Sequence, residues 1–380
     1  MDSVPFNKPF VVGRELYYIA QSVVEGHLSG DGRFSKLCNK WLEEKLGVTK
    51  AFLTHSCSGA LDMSAILINI KPGDEVIMPS YGFVSAANAF VLRGGIPVFV
   101  DIRPDTLNID EELIEQAITP KTRGIIPVHY AGVGCEMNAI TEIAGNHDLV
   151  IIEDAAQALL STYKGQHLGS FGDIACISFH ETKNCISGEG GAILINDPGL
   201  VERAEVIREK GTNRPQFFRN EIDKYTWIDV GSSFLPSELI GAFLWAQLEQ
   251  AEQIVQRRRD LFDRYSVGLK SLSTQLGLSI PGIPEHCQGN AHMFYLITRS
   301  RDERLALLHF LNNNGVDAVF HYIPLHSSPA GMKFGRTQGS MHVTDSLSSR
   351  IVRMPIFYDM TLDMVDSVVD LVHTFYQHRV

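Results

Sequence analysis

Two side chains in this sequence are of types that do covalent and acid–base work only when held in place. Lys183 stands in Ser178-Phe179-His180-Glu181-Thr182-Lys183-Asn184, and Asp154, 29 residues earlier, ends Ile151-Ile152-Glu153-Asp154. A lysine that forms a Schiff base with a carbonyl needs a fixed, partly desolvated position. A pyridine cofactor needs an acid partner for its ring nitrogen. The pair therefore points to pyridoxal phosphate (PLP), with Lys183 on its carbonyl carbon and Asp154 on its ring.

Neighbouring residues extend this reading. Asp154 follows an apolar run, which puts it at the C-terminal end of a buried strand, where open α/β sheets bind ligands. A carboxylate there keeps a pyridinium protonated; the other reading is a helix N-cap. Gln157 either reaches the ring hydroxyl or lies on the following helix. Ser178 ends the next apolar run and is placed to bind phosphate. Gly188-Glu189-Gly190-Gly191 suggests a tight, buried turn, which separates Lys183 from an ordinary solvated lysine. His180 lines the same pocket or is a satisfied structural histidine. No metal-ligand spacing surrounds it.

Upstream, Thr54-His55-Ser56-Cys57-Ser58-Gly59 joins an expected strand to an expected helix. A helix start offers free N–H groups and a favourable dipole to a phosphate, although Ser56 or Ser58 could simply cap it. Phe83, just after the next strand, lies against a cofactor ring or is plain core.

These residues need a scaffold. Short apolar runs at 51–53, 75–78, 97–100, 124–128, 149–152, 174–179 and 192–195 read as seven buried strands of a mainly parallel sheet flanked by helices. The fold class is thus α/β, with a large domain over 1–245 and a smaller α+β domain over 246–380. The second begins with one long amphipathic helix over 246–272. A strand at 291–298, a helix at 303–312 stopped by Gly315 and a strand at 318–323 follow. Residues 327–340 read as a mobile loop.

Composition narrows the function classes. The chain has 380 residues, 44% of them apolar, and a net charge of −11, which disfavours nucleic-acid binding because phosphate backbones select basic surfaces. Six scattered cysteines without a CxxC pair argue against a zinc site or a disulfide framework. No run is long and apolar enough for a membrane span, and the first residues lack a secretory pattern, so the expected location is the cytoplasm. No GxGxxG opens a helix after a strand, which sets aside a dinucleotide-dependent oxidoreductase.

Three segments, Phe179-His180-Glu181-Thr182-Lys183-Asn184, Asp223-Lys224-Tyr225-Thr226-Trp227 and Phe320-His321-Tyr322-Ile323-Pro324-Leu325-His326, closely resemble the DegT/DnrJ/EryC1/StrS sugar aminotransferases. The resemblance covers nearly the whole chain. It implies a fold-type I PLP enzyme, a homodimer with shared active sites, glutamate as amino donor and a dTDP-linked 4-keto-6-deoxy sugar as acceptor. Amination at C4 would give dTDP-4-amino-4,6-dideoxygalactose for surface polysaccharide. The gluco epimer, a 3-amino sugar and a non-catalytic PLP-binding sensor are the alternatives. Carried over by motif, Lys183 is the Schiff-base lysine, Asp154 pairs with the ring nitrogen and Gln157 contacts the ring oxygen. Cys57, Ser58 and Ser178 hold the phosphate, Phe83 stacks on the ring, and His180, Tyr322 and His326 face the sugar nucleotide. One departure stands out. Relatives carry Gly-x-Asn-x-Arg where this chain has Gly231-Ser232-Ser233-Phe234-Leu235, so Ser233 takes the place of the asparagine that reaches the neighbouring subunit's cofactor.

Overall fold

The computed structural model describes residues 3–377. All seven expected apolar runs are strands: β1 (Lys50–Thr54), β2 (Glu75–Pro79), β3 (Ile96–Val100), β4 (Thr122–Ile125), β5 (Val150–Asp154), and then, beyond a small hairpin of β6 (Thr162–Tyr163) and β7 (Gln166–His167), β8 (Ile174–Ser178) and β9 (Gly191–Ile195). Beyond β10 (Cys287–Gln288) and β11 (Phe294–Ile297), β12 (Arg336–Thr337) joins them as an eighth strand in the order β1-β9-β8-β5-β4-β2-β3-β12. Only β9 runs against its neighbours; the other ladders of this sheet are parallel.

Side chains alternate across a strand, and both faces of this sheet are apolar. Ile151, Ile177 and Leu194 pack into a core on one face, while Ile152, Cys176 and Ile193 pack into another. Continuous apolar runs follow from this two-sided burial. A further core forms around the helix Ala251–Leu276, whose Leu261, Tyr265 and Leu269 meet Phe294, Val352 and Val368. There β11 pairs antiparallel with β13 (Ile351–Met354).

Three expectations from sequence change. The helix expected over 246–272 is two helices, Glu238–Leu248 and Ala251–Leu276. The ladder tightens at the join, where the Gln250 N–H donates to the Gln247 carbonyl instead of to the residue four back. The strand expected at 318–323 reduces to a single bridge between Val319 and Arg353. The 327–340 stretch, expected as a mobile loop, carries the helix Pro329–Phe334 and strand β12. Arg336 anchors it by two bonds to the buried Glu75 carboxylate, at 2.9 and 2.7 Å. A lone charge match across so many residues leaves no local signal in the sequence.

Candidate active site

The β8–β9 connection is a tight loop. Phe179 N–H donates to Gly190, Glu181 N–H to Gly188 and Lys183 N–H to His180, while Ser187 N–H returns to Phe179. Gly188 has φ +79°, a region that favours glycine. A Cβ on Gly191 would strike the Cys57 backbone nitrogen, so this glycine lets the loop lie against the start of the helix Cys57–Leu67. Lys183 is thereby brought to a cleft of about 550 Å³ that Asp154 also lines, a volume suited to a small cofactor and part of a substrate.

Asp154 is 6% exposed. Its Oδ1 accepts from the Ala156 N–H at 3.1 Å. Residues 155–160 form turns, not a helix, so neither the N-cap reading of Asp154 nor the helix reading of Gln157 holds. Gln157 instead accepts from the Ala131 N–H at 2.7 Å and donates to the Tyr322 hydroxyl at 3.1 Å. Burial pushes the Asp154 carboxyl upward, with the Ala156 N–H and Lys183 opposing. Burial likewise pushes the Lys183 amine down, against the pull of Cys57 and Asp154. Both groups are therefore moved toward their neutral forms in the protein alone.

In the same cleft, the Ser56 side chain caps Gly59 and the Ser56 carbonyl takes the Ala60 N–H. The N–H groups of Cys57 and Ser58 have no intrahelical acceptor, as at every helix start. Ser58 Oγ lies 2.7 Å from Ser85 Oγ, and Ser178 also lines the cleft. Burial raises the Cys57 thiol well above its usual range, which makes it a neutral lining group. Phe83, more than half exposed, sits 6.0 Å from Tyr322 between ring centroids. His180 lines the cleft mouth with Nδ1 2.9 Å from Thr182 Oγ1.

Two expected residues are not brought to this cleft. His326 points its Nδ1 to Ser80 Oγ at 2.6 Å and its Nε2 to Asp345 at 3.3 Å. Ser233 is exposed and bridges to Glu209.

Several lining residues escaped the sequence reading. Ser85 follows the same rule as Ser58, at the start of the helix after β2. Arg258 is a charge on the apolar stripe of Ile254, Leu261 and Tyr265, and that mismatch was its signal. Its Nε and Nη2 donate to the Ala291 and His292 carbonyls at 3.1 and 2.7 Å, and burial pushes its guanidinium down to about 10. Arg353, inside the apolar β13, carried the same signal. His292 and His321 gave none. Their imidazoles are held well below the ordinary value by burial, with further lowering from nearby cations. His292 Nδ1 is 3.2 Å from Asn184 Oδ1 and His321 Nδ1 is 2.7 Å from the Tyr130 hydroxyl.

The donor set suits a phosphorylated pyridine aldehyde: free N–H groups and hydroxyls at a helix start, a buried carboxylate, and an amine aimed into the same space. The comparisons agree. The DegT/DnrJ/EryC1/StrS aminotransferase family model matches residues 12–373. The spore coat polysaccharide biosynthesis protein SpsC of Bacillus subtilis is 30% identical, covering 97% of this chain and 96% of its own. The GDP-perosamine synthase of Escherichia coli O157:H7 is 28% identical over the full length of both chains. Among solved structures, S. venezuelae DesV in complex with a ketimine intermediate is similar with a TM-score of 0.89 and 29% identity, covering 99% of each chain. The chain belongs to the DegT/DnrJ/EryC1/StrS aminotransferase family, as a PLP-dependent enzyme that aminates nucleotide-linked sugars.

Proposed function

We propose that the protein transfers an amino group from glutamate to C4 of dTDP-4-keto-6-deoxyglucose, giving dTDP-4-amino-4,6-dideoxygalactose for surface polysaccharide. The observation that carries the reaction type is the opening of Lys183 and Asp154 into one cleft that also takes in Ser178 and the helix start that carries Ser58. PLP, when bound, supplies an electron-accepting ring that stores the amino group between two half-reactions. Asp154 would face the ring nitrogen, Gln157 the ring oxygen and Phe83 the ring plane. Ser58, Ser178 and the Cys57 N–H would hold the phosphate.

Lys183 is the covalent anchor and the proton carrier in this reading. Burial favours its neutral amine, which would take the proton from the donor's α-carbon and hold it for transfer within the cleft. The same amine returns a proton on the same face when the keto-sugar is aminated. His180 and Tyr322 would meet the sugar nucleotide at the cleft mouth.

Ser233 is exposed, outside this chain's own cleft, which suits a residue that reaches into a second copy. Trp227 and Phe218, 76% and 65% exposed on the same stretch, would be covered in that homodimer. Residues 1–245 would form the cofactor-holding domain.

Incubating PLP-loaded protein with glutamate and dTDP-4-keto-6-deoxyglucose, and following absorbance and product NMR, tests the proposal. An axial amine at C4 is expected. An equatorial amine moves the product to the gluco series, and no spectral change with glutamate overturns the donor half-reaction. The Escherichia coli relative is named for a GDP-sugar, so the GDP-linked keto-sugar is the second acceptor to run. Turnover with it alone corrects the nucleotide.

A further inference from the structure

The cleft holds two arginines that differ in what they already bind. Arg258 gives Nε and Nη2 to main-chain carbonyls. Arg353 lines the cleft from β13, its Nε is buried, and no hydrogen-bond acceptor or carboxylate partner for it occurs among the described residues. Its guanidinium lies 4.7 Å from the centre of the Phe6 ring, and its surroundings are the phenols of Tyr81, Tyr130 and Tyr322. A desolvated guanidinium without an anion is costly to keep, and its planar fork matches a carboxylate.

We infer that Arg353 binds the α-carboxylate of the amino donor. Position separates this anion from the two others that the cleft must take. The Arg353 guanidinium lies against Phe6, and the adjacent Asn7 donates to the Glu181 carbonyl at 3.3 Å, two residues from Lys183. Arg353 is thereby tied to the side of the cleft that carries the Lys183 loop, while the helix start that suits a phosphate is lined by Ser58 and Ser85. The donor's carboxylate is attached to the very carbon whose proton Lys183 handles, so its counter-ion has to sit beside Lys183. A diphosphate at C1 of a hexose lies across the sugar ring from C4, and its cations belong further out. Neutral His292 and His321 add no competing charge. Phe6 closes the site from the N-terminal segment, which is pinned by Val4 N–H to the Gly315 carbonyl at 2.8 Å and by Asn7 to the Glu181 carbonyl at 3.3 Å.

This inference rests on the amino-donor half of the proposed function, and the experiment separates the two. Arg353→Met and Arg353→Lys are compared with wild type, all loaded with PLP, by calorimetric titration with glutarate, which binds without reacting. Single-turnover rates with glutamate, with alanine and with the keto-sugar are measured alongside. Expected are glutarate binding weakened about 10²-fold in Arg353→Met, a similar fall in kcat/KM for glutamate and alanine alike, an unchanged sugar half-reaction, and partial recovery in Arg353→Lys. Thermal stability of Arg353→Met should equal or exceed wild type, because an unpaired buried charge is removed. Equal glutarate binding in all three proteins overturns the assignment, as does a loss that falls on the sugar half-reaction, which gives Arg353 to the diphosphate. A loss with glutamate but not alanine reassigns it to the side-chain carboxylate. Glutarate binding needs no turnover, so failure of wild type to aminate a sugar leaves this test standing.

Discussion

One rim of the cleft is delivered by strand ends: Asp154 closes β5, Ser178 closes β8, and Lys183 hangs in the loop that returns to β9. The opposite rim is assembled from the helix Ala251–Leu276, the approach to β11, an extended stretch at 320–323 and β13, which bring in Arg258, His292, Tyr322 and Arg353. The first rim mixes an amine, a carboxyl and hydroxyls. The second holds cations, neutral imidazoles and phenols, and none of the carboxylates in the cleft lining comes from it. Bond-making groups thus sit where the sheet fixes them most tightly, and anion recognition is placed on the facing rim. A rigid scaffold for the reacting groups is what proximity effects require.

If that division of labour is right, the largest single effect belongs to the first rim. Lys183→Ala should lower kcat by at least about 10³-fold, roughly 4 kcal/mol of barrier, because covalent anchoring and proton transfer are lost together. PLP should still bind, held by the hydroxyls, the helix start and Asp154, and absorbance of the dialysed variant checks this. A variant that keeps a tenth of its activity would show that the proton carrier lies elsewhere, and the contrast between rims would have to be redrawn.

The two rims meet at Asn290, 1% exposed. Its Nδ2 donates to the Gln157 and Leu159 carbonyls, both at 2.9 Å, and its own carbonyl accepts from Asn184 at 2.8 Å. Its Oδ1 also takes the His292 N–H at 3.1 Å. Asn290→Ala would leave the Gln157 and Leu159 carbonyls and the His292 N–H without that side-chain partner, each worth about 1–3 kcal/mol. The expected loss is about 3 kcal/mol in urea unfolding, with weaker PLP binding as the Gln157 segment loses its tie to the approach to β11, while Asn184 keeps its bond to the main-chain carbonyl at 290. Unchanged stability would mean that the rims are held together by packing alone.

The same contrast governs how much could be read from sequence. Strand ends are legible because a short apolar run ending in Asp or Ser marks both the burial and the exit; Asp154 and Ser178 follow that rule, as does the seven-strand core of the sheet, and Lys183 was readable from the glycine cluster that follows it. The facing rim has no such grammar. Arg258 and Arg353 broke apolar patterns at 254–265 and 351–354, a signal that was there to use, but what they line depends on packing between distant segments. Nothing local marks His292, whose partner Asn184 is far away in the chain. His326 is the reverse case: motif likeness put it at the substrate, and its ring is committed to Ser80 and Asp345. The eighth strand was missed because two residues, Arg336 and Thr337, carry no periodicity, and Arg336 is held by Glu75 of β2, two strands away in the sheet and far off in the chain.

The smallest expected effect is a slope. His292 is 4% exposed and His321 is 8% exposed, and burial holds both imidazoles well below the ordinary value, with Lys183 and Arg353 pushing the same way. Their folded values lie below the unfolded value of about 6.5. As pH falls through 6.5 the unfolded chain takes up a proton at each site and the folded chain does not. Stability from these groups is full above that pH and declines at about 1.4 kcal/mol per pH unit per histidine until the folded values are reached. Urea midpoints at pH 7.5, 6.5 and 5.5 measure the decline. Carboxylates held by cations, such as Glu75 beside Arg336, act at lower pH, since their stabilisation is present above the usual carboxyl range and fades only as pH drops through it. His292→Asn keeps a donor for Asn184 and removes the titrating ring, so it should take away about 1.4 kcal/mol per pH unit of the slope between pH 6.5 and 5.5. A slope identical to wild type would show that His292 is not held neutral, and with it would go the view of the second rim as a place where Arg353 receives an anion without competing charge from the imidazoles.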